Sequence, residues 1–313
     1  MLAFFEYNYY HRATSPDLFS PHEMEARTRV IKIGILTKPQ SENIQPVLTS
    51  LVDWLTDRGK IVILDTPTIE ELRKNTRTDR RDQIAQQADL LIVLGGDGTM
   101  LHGARLVETR SVPILGVNMG GLGFLTETTV DHMHDSLTRI FDGDYLIEQR
   151  LMLRANLERD KYIIGEGTAL NDVVINKGHL ARMIDTKVSI NDSFVTNLRG
   201  DGLIISTPTG STGYSLSANG PILDPSLNVF TLNPICPHTL SHRPFIAPSH
   251  VSISVTLTSH EEAMATLDGQ VGFTMLEHDT VRIWASNHQA HLIRFPGRSY
   301  YEVLRNKLKW GDG

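Results

Sequence analysis

The sequence predicts two domains of different class: an α/β domain with a parallel sheet, followed by an all-β sandwich. Apolar runs separated by helical stretches fill residues 30–145. Short runs rich in Val, Ile and Thr, joined by turns with no long helix between them, fill residues 146–294. The 313-residue length suits two units at about 150 residues per domain.

Residues 30–36 (VIKIGIL) read as a buried strand, 41–58 as an amphipathic helix and 60–65 (KIVILD) as a second strand. Residues 68–88 are charged and helical, and 89–94 (DLLIVL) form a third apolar strand. A helix over about 100–107, a strand over 112–118 (VPILGVN) and a helix over 129–141 complete the series. Strands apolar throughout imply a sheet covered by helices on both faces, so a Rossmann-like α/β domain is expected over 29–145. In the second half, residues 150–158, 172–177, 186–190, 202–206, 251–257, 280–285 and 291–294 read as strands of a sandwich over 146–294. A helical stretch at 299–310 places a tail, 295–313, back on the first domain.

Residues 1–28 crowd Phe4, Phe5, Tyr7, Tyr9 and Tyr10 before Ser15, Pro16, Ser20 and Pro21, without the basic start and apolar stretch of a signal peptide. They read as a mobile extension or the product of an early start codon, with a functional arm as the alternative. Hydrophobic residues at 40% and charged residues at 21% exclude a disordered chain. A formal charge of -6 disfavours a nucleic-acid partner. The apolar run at 90–94 is far short of the roughly 20 residues of a spanning helix, so no membrane contact is expected. The single Cys236 fits a reducing compartment, and the expectation is a cytoplasmic protein.

The chemistry-bearing residues begin with Gly95-Gly96-Asp97-Gly98-Thr99, between an apolar strand and a helix. Ligands collect at the carboxyl ends of parallel strands, where a helix N-terminus offers free N–H groups to phosphate oxygens. A carboxylate inside such a loop repels phosphates unless it binds a metal or takes a proton, so Asp97 is a candidate general base or metal ligand. Neither this loop nor Gly59-Lys60-Ile61 fits a P-loop. Gly120-Gly121-Leu122-Gly123 reads equally as a flexible turn or as a floor under a flat ligand, with Phe124 placed to stack on a base.

From Ser206 to Ser217 eight of twelve residues carry a hydroxyl, and Tyr214 and Leu216 interleave with them, which suits hydrogen bonding to a sugar and stacking on a ring. Asn171-Asp172 and Arg199-Gly200-Asp201-Gly202 each precede an apolar strand. Neighbours on a regular strand face opposite ways, so Asn171 and Asp172 share a pocket only if the strand starts or bulges there. Asp268-Gly269-Gln270 reads as a hairpin turn. His132 with His134, and Cys236 with His238 and His242, match no zinc spacing, so no protein-bound metal site is expected.

In their order and context these motifs resemble the bacterial NAD kinases over nearly all of residues 30–310. The glycine loop alone is shared with diacylglycerol-type lipid kinases, whereas Thr207 to Ser217 together with Leu170-Asn171-Asp172 is specific. The resemblance implies transfer of the γ-phosphoryl of ATP to the 2′-hydroxyl of the adenosine ribose of NAD, with Mg²⁺ on the donor phosphates. It implies Asp97 as the base with Gly98 beside it, and Gly95, Gly96, Gly98, Thr99 and Arg199 toward the donor. Asn171 and Asp172 match the pair that holds the nicotinamide-side ribose and amide. Thr212, Gly213, Tyr214, Ser215, Leu216 and Ser217 match the segment cradling NAD, with Tyr214 against the adenine. His102, Phe124, Arg182 and Gln270 match peripheral ligand positions. Asp201 matches an acid reaching a neighbouring subunit's site, which implies a homodimer or homotetramer. One branch of the family has Glu in place of Asp172, and Ala is usual in place of Gly213. A lipid kinase sharing the glycine-loop domain and a catalytically silent NAD-binding sensor are the alternatives; an apolar acceptor pocket would favour the first, absence of turnover the second.

Overall fold

In the computed structural model, which describes residues 30–38, 44–64, 84, 86–178 and 182–310, the apolar runs of the first half bury both of their faces. The extension 1–28, the first residues of the helix expected from 41 and most of the stretch 68–88 lie outside the described residues. Strands β1 (Lys32–Thr37), β2 (Ile61–Leu64), β3 (Leu90–Leu94) and β4 (Ile114–Asn118) pair in parallel in the order β2-β1-β3-β4, with the short β5 (Thr128–Thr129) beside β4. Alternate side chains leave on opposite faces. Ile33, Ile35, Ile92 and Leu94 meet helix α1 (Ile44–Asp57) and helix α3 (Met133–Phe141); Leu36, Leu91 and Val93 meet helix α2 (Asp97–Val107). Helix α1 buries Ile44, Leu48, Leu51 and Leu55, one stripe at helical spacing. Each such side chain withdrawn from water contributes about 1.5–3 kcal/mol.

Two further strands join this sheet from the second half: β6 (Leu146–Arg150) and β19 (Ala290–Arg294), the latter parallel to β4 and antiparallel to β6. The expectation for 146–294 placed residues 291–294 in the sandwich, and here the structure differs. Ala290 and Leu292 enter one core of the α/β sheet while Ile293 and Phe295 enter the other, and only a sheet covered on both faces accommodates such a strand.

The sandwich consists of two six-stranded antiparallel sheets. One runs β11-β10-β15-β18-β7-β8, from β7 (Leu153–Arg159), β8 (Tyr162–Ala169), β10 (Ile184–Ile190), β11 (Ser193–Gly200), β15 (Ile253–Leu257) and β18 (Thr280–Ala285). The other runs β14-β13-β12-β9-β16-β17, from β9 (Asp172–Lys177), β12 (Gly202–Ser206), β13 (Val229–Ile235), β14 (Phe245–Pro248), β16 (Ala263–Leu267) and β17 (Val271–Met275). Their facing side chains, among them Ile175, Ile205, Phe230, Val255 and Ile283, form one core. After β12 the hydroxyl-rich run folds into a 3-10 turn (Thr209–Thr212) and the short helix α4 (Tyr214–Ser217).

The tail joins the two halves. Helix α5 (Tyr300–Leu308) is capped by Ser299, whose side chain accepts the Glu302 N–H. Arg298 and Arg294 meet the buried Glu127 of the first domain at 3.4 and 3.0 Å, and the Tyr300 and Tyr301 hydroxyls donate to Leu223 O and Asp224 Oδ2, beyond α4. The tail therefore touches both halves rather than the first alone.

Candidate active site

Strand β3 ends at Leu94, and the Gly95 N–H donates to Val117 O at 2.9 Å, which keeps the glycine loop against the sheet. Helix α2 starts two residues later at Asp97, with Gly96 as its N-cap and no side-chain cap. The first N–H groups of a helix generally lack partners within it and form the positive end of its dipole, a place suited to phosphate oxygens, although here the Thr99 N–H turns back on Gly96 O at 3.0 Å. Gly95 is buried, Gly96 and Thr99 are half-buried and Gly98 is exposed; His102 follows one turn further on, half-buried.

The Asp97 carboxylate accepts two backbone N–H groups, from Phe124 to Oδ2 and from Leu125 to Oδ1, both at 3.0 Å. The chain passes so close that a Cβ at Gly123 would lie 2.1 Å from Asp97 Oδ1. A carboxylate offers about four acceptor directions, so two remain for a ligand hydroxyl. Phe124 itself lines a separate pocket of about 360 Å³ between β6 and the tail, with Leu146, Ile147 and Tyr300.

Asn171 precedes β9 and Asp172 opens it, so the pair stands where the strand starts, and both line one pocket of about 380 Å³ with Val174, Asn176, Tyr214 and Thr266. Asn171 Oδ1 is buried with no hydrogen-bond partner, an acceptor suited to an incoming N–H or O–H. Asp172 is only 5% exposed, and burial, aided by the charge of Asp268, pushes its carboxyl up to about 7.

Asp268 comes from the turn between β16 and β17, where residues 268–270 separate the paired Leu267 and Val271; Asp268 and Gly269 both have positive φ (51° and 64°), and the Gln270 N–H closes the turn on Leu267 O at 2.9 Å. Of this turn only Gln270 was expected to have a further role, at a peripheral ligand position. Its buried carboxylate accepts the N–H groups of Leu170 (3.1 Å), Asn171 (2.8 Å) and Asp172 (3.3 Å) and pairs with Arg105 of α2 at 2.5 Å. Burial raises the Asp268 pKa against the lowering pull of Arg105 and these N–H groups. Gln270, expected as a ligand contact, spends its amide inside the protein: Nε2 donates to Gly98 O at 2.7 Å and Oε1 accepts from Arg105. Asp268 and Arg105 escaped the sequence reading because 163 residues separate them and neither belongs to a local motif with the other.

The hydroxyl-rich run turns mostly inward. Ser206, Thr207, Ser211 and Ser215 are fully buried. Thr207 Oγ1 donates to Leu170 O at 2.6 Å, Ser211 Oγ donates to Pro208 O at 2.6 Å and accepts the Leu223 N–H at 3.0 Å, and Ser215 Oγ bonds the Asn233 amide. The loop thereby packs on Asn171 so tightly that a Cβ at Gly210 would lie 2.2 Å from Asn171 O. Ser215, expected on a ligand, therefore points away from the pocket, and the Thr212 hydroxyl donates to Thr209 O at 3.2 Å. Gly213 lies beside the Asn171 amide, Leu216 is half-buried, and Tyr214 and Ser217 remain exposed. Tyr214 borders both the Asn171 pocket and a larger one of about 650 Å³ lined by Ser217, Cys236, His242 and Arg243.

The remaining candidates lie apart. Asp201 pairs with Lys177 at 2.7 Å. Arg199, on the edge strand β11 with its side chain 60% exposed, stands 3.9 Å from Asp185. Arg182 is exposed ahead of β10. Among the described residues no group of three or more His, Cys, Asp or Glu side chains could hold a metal ion, and no helix is long and apolar enough to cross a membrane.

Comparison with known proteins gives a consistent result. The ATP-NAD kinase N-terminal domain matches residues 33–145 and the ATP-NAD kinase C-terminal domain matches residues 170–295. The chain is 47% identical over 285 residues to a protein named NAD kinase from Geobacter sp. strain M21, covering 90% of this chain and 99% of that one. It is 48% identical over 282 residues to another of that name from Geotalea daltonii, with the same coverage. Among solved structures, a yeast NADH kinase complexed with NADH superposes with a TM-score of 0.85 at 24% identity, over 92% of this chain and 90% of that one. An NAD kinase from Archaeoglobus fulgidus in complex with ATP superposes with a TM-score of 0.69 at 24% identity, over 89% and 99%. These two share the fold.

Proposed function

The chain belongs to the ATP-NAD kinase family, and from that premise we propose how its residues divide the work of an NAD kinase. The reaction moves the γ-phosphoryl of ATP to the 2′-hydroxyl of the adenosine ribose of NAD, giving NADP and ADP. The observation that carries the reading is Asp97, an acid at the phosphate-binding end of α2 with both oxygens oriented by backbone N–H groups. The ribose hydroxyl donates to a remaining lone pair of Asp97. The oxygen–phosphorus bond forms as the bond to the ADP oxygen breaks, and the proton passes to Asp97. A sugar hydroxyl is far more basic than a carboxylate, whose reference pKa is about 3.9, so the transfer is late. That suits phosphoryl transfer, where the transition state is loose and positioning with charge neutralisation does most of the work.

The use of ATP implies a divalent metal. We propose Mg²⁺, arriving on the triphosphate oxygens, because the described residues offer no cage of their own. When bound it would offset the donor's negative charge, with the positive end of α2 at Gly96 and Gly98 assisting and Gly95 and Thr99, whose N–H groups bond Val117 O and Gly96 O, shaping the loop.

On the acceptor side, the unpartnered Asn171 Oδ1 supports a hydrogen bond from the nicotinamide-side amide or ribose, and Asp172 lies next to it. Tyr214 is proposed to stack on the adenine, with Thr212, Gly213, Leu216 and Ser217 around it and Phe124, His102 and Arg182 at the periphery. The four carboxylate or amide side chains Asn171, Asp172, Asn176 and Asp268 in this pocket speak against a lipid acceptor. Asp201 is proposed to reach the site of a second copy in a homodimer or homotetramer, and Arg199 to attract the triphosphate. The low cysteine content keeps the cytoplasm as the proposed compartment.

The test is Asp97→Asn. NAD binding by calorimetry should persist while NADP formation falls by about 10²–10⁴-fold, the usual contribution of a general base; a near wild-type rate removes the base assignment.

A further inference from the structure

The hairpin turn between β16 and β17 holds both sides of the site at once. Toward the sandwich, the Asp268 side chain, 0% exposed, receives the N–H groups of Leu170, Asn171 and Asp172, which fixes where the acceptor pocket begins. Toward the α/β domain the same carboxylate holds Arg105, whose side chain is 12% exposed. Arg105 forks: Nη1 meets Asp268 and Nη2 meets Gln270 Oε1. Gln270 then donates from Nε2 to the carbonyl of Gly98, the residue after Asp97. The bonds form a chain from the first turn of α2, through Gln270, Arg105 and Asp268, to Asn171 and Asp172.

We propose that Asp268, Arg105 and Gln270 are positioning residues that set the separation between Asp97 and the Asn171–Asp172 pocket, a role that rests on the phosphotransfer reading above. The physical case is geometric. The base stands on one domain and the acceptor pocket on the other, so their distance is decided by whatever crosses between them. The fork of an arginine fixes direction as well as distance, which a point charge does not. A displacement of about 1 Å between reacting groups can cost on the order of 100-fold in rate. The bonded amide of Gln270 fits a strut better than the ligand contact the resemblance implied.

The test compares Arg105→Met, Arg105→Lys and Gln270→Ala in the full chain, with kcat and KM for NAD and for ATP, and thermal unfolding alongside. Arg105→Met should lower kcat by about tenfold or more with both KM values within about twofold, the signature of a group that acts on the transition state. Arg105→Lys, which reaches one partner only, should recover part of the loss. Gln270 is exposed, so Gln270→Ala should fold normally and still lower kcat by about threefold. It decides the matter if Arg105→Met does not fold. Unchanged kcat in Gln270→Ala, a loss carried by KM, or a Lys variant no better than Met overturns the proposal while leaving the kinase reading intact. A wild-type protein that makes no NADP from NAD and ATP overturns both.

Discussion

Replacing Asp172 by Asn should remove a pH dependence from the stability of the fold. Burial beside Asp268 holds the Asp172 carboxyl at about 7, against an ordinary 3.8. An unfolded chain ionises this group near the ordinary value, so between the two values the folded state keeps a proton that the unfolded state has released. Stability therefore falls as pH rises through that window, and levels off above about 7. At 1.36 kcal/mol per pH unit the full span from 3.8 to about 7 amounts to about 4 kcal/mol, of which about 1.5 kcal/mol is already lost at pH 5. Asn keeps the shape and cannot ionise. The unfolding free energy of Asp172→Asn minus that of the wild type should widen by about 2–3 kcal/mol from pH 5 to pH 8 in urea titrations. A difference that stays constant or narrows with pH would refute the reasoning, because the buried carboxyl would then not carry its proton to neutral pH.

Two further substitutions probe the site. Gly123→Ala puts a Cβ 2.1 Å from Asp97 Oδ1, so the carboxylate or the loop must move; kcat for NADP formation should fall by about tenfold or more, and a wild-type rate would show that Asp97 is not held by this loop. Arg199→Gly should shift donor use from ATP toward inorganic polyphosphate in a two-donor assay, since it removes an exposed cation proposed to attract the triphosphate; unchanged preference counts against that role.

Much of the molecule was legible in its local patterns. The strands at 32–37, 90–94 and 114–118 are apolar at nearly every position, and that two-faced burial is written into the residues themselves. Gly95 to Thr99 announces a strand-to-helix turn open to phosphates, and Asp268-Gly269 announces its turn type. Strands β8, β11, β14 and β17 were missed; each lies at a sheet edge with much of its length exposed, so even the apolar residues of β8 and β14 follow no buried alternation, and the central β13 was missed as well. Strand β19 was recognised and put in the wrong sheet. Five residues do not say whether one or two of their faces will be covered.

The hydroxyl-rich run shows the same limit at the site. Composition marked Thr207 to Ser217 as special, yet Thr207, Ser211 and Ser215 bond to Leu170, Pro208 and Asn233 and hold the loop rather than a ligand. Residue type and spacing were enough for the fold class, the glycine loop and the place of the Asn-Asp pair at a strand start, because those features arise between neighbours along the chain, while the family came from the resemblance of the motifs taken together. The clamp of Asp268, Arg105 and Gln270, the near-neutral carboxyl of Asp172 and the seat of Asp97 on residues 124–125 arose only on folding. Each depends on charge, burial or a hydrogen bond between groups far apart in sequence: the clamp needs one domain packed against the other, the Asp172 shift needs the closed sandwich, and the seat of Asp97 needs the α/β domain alone.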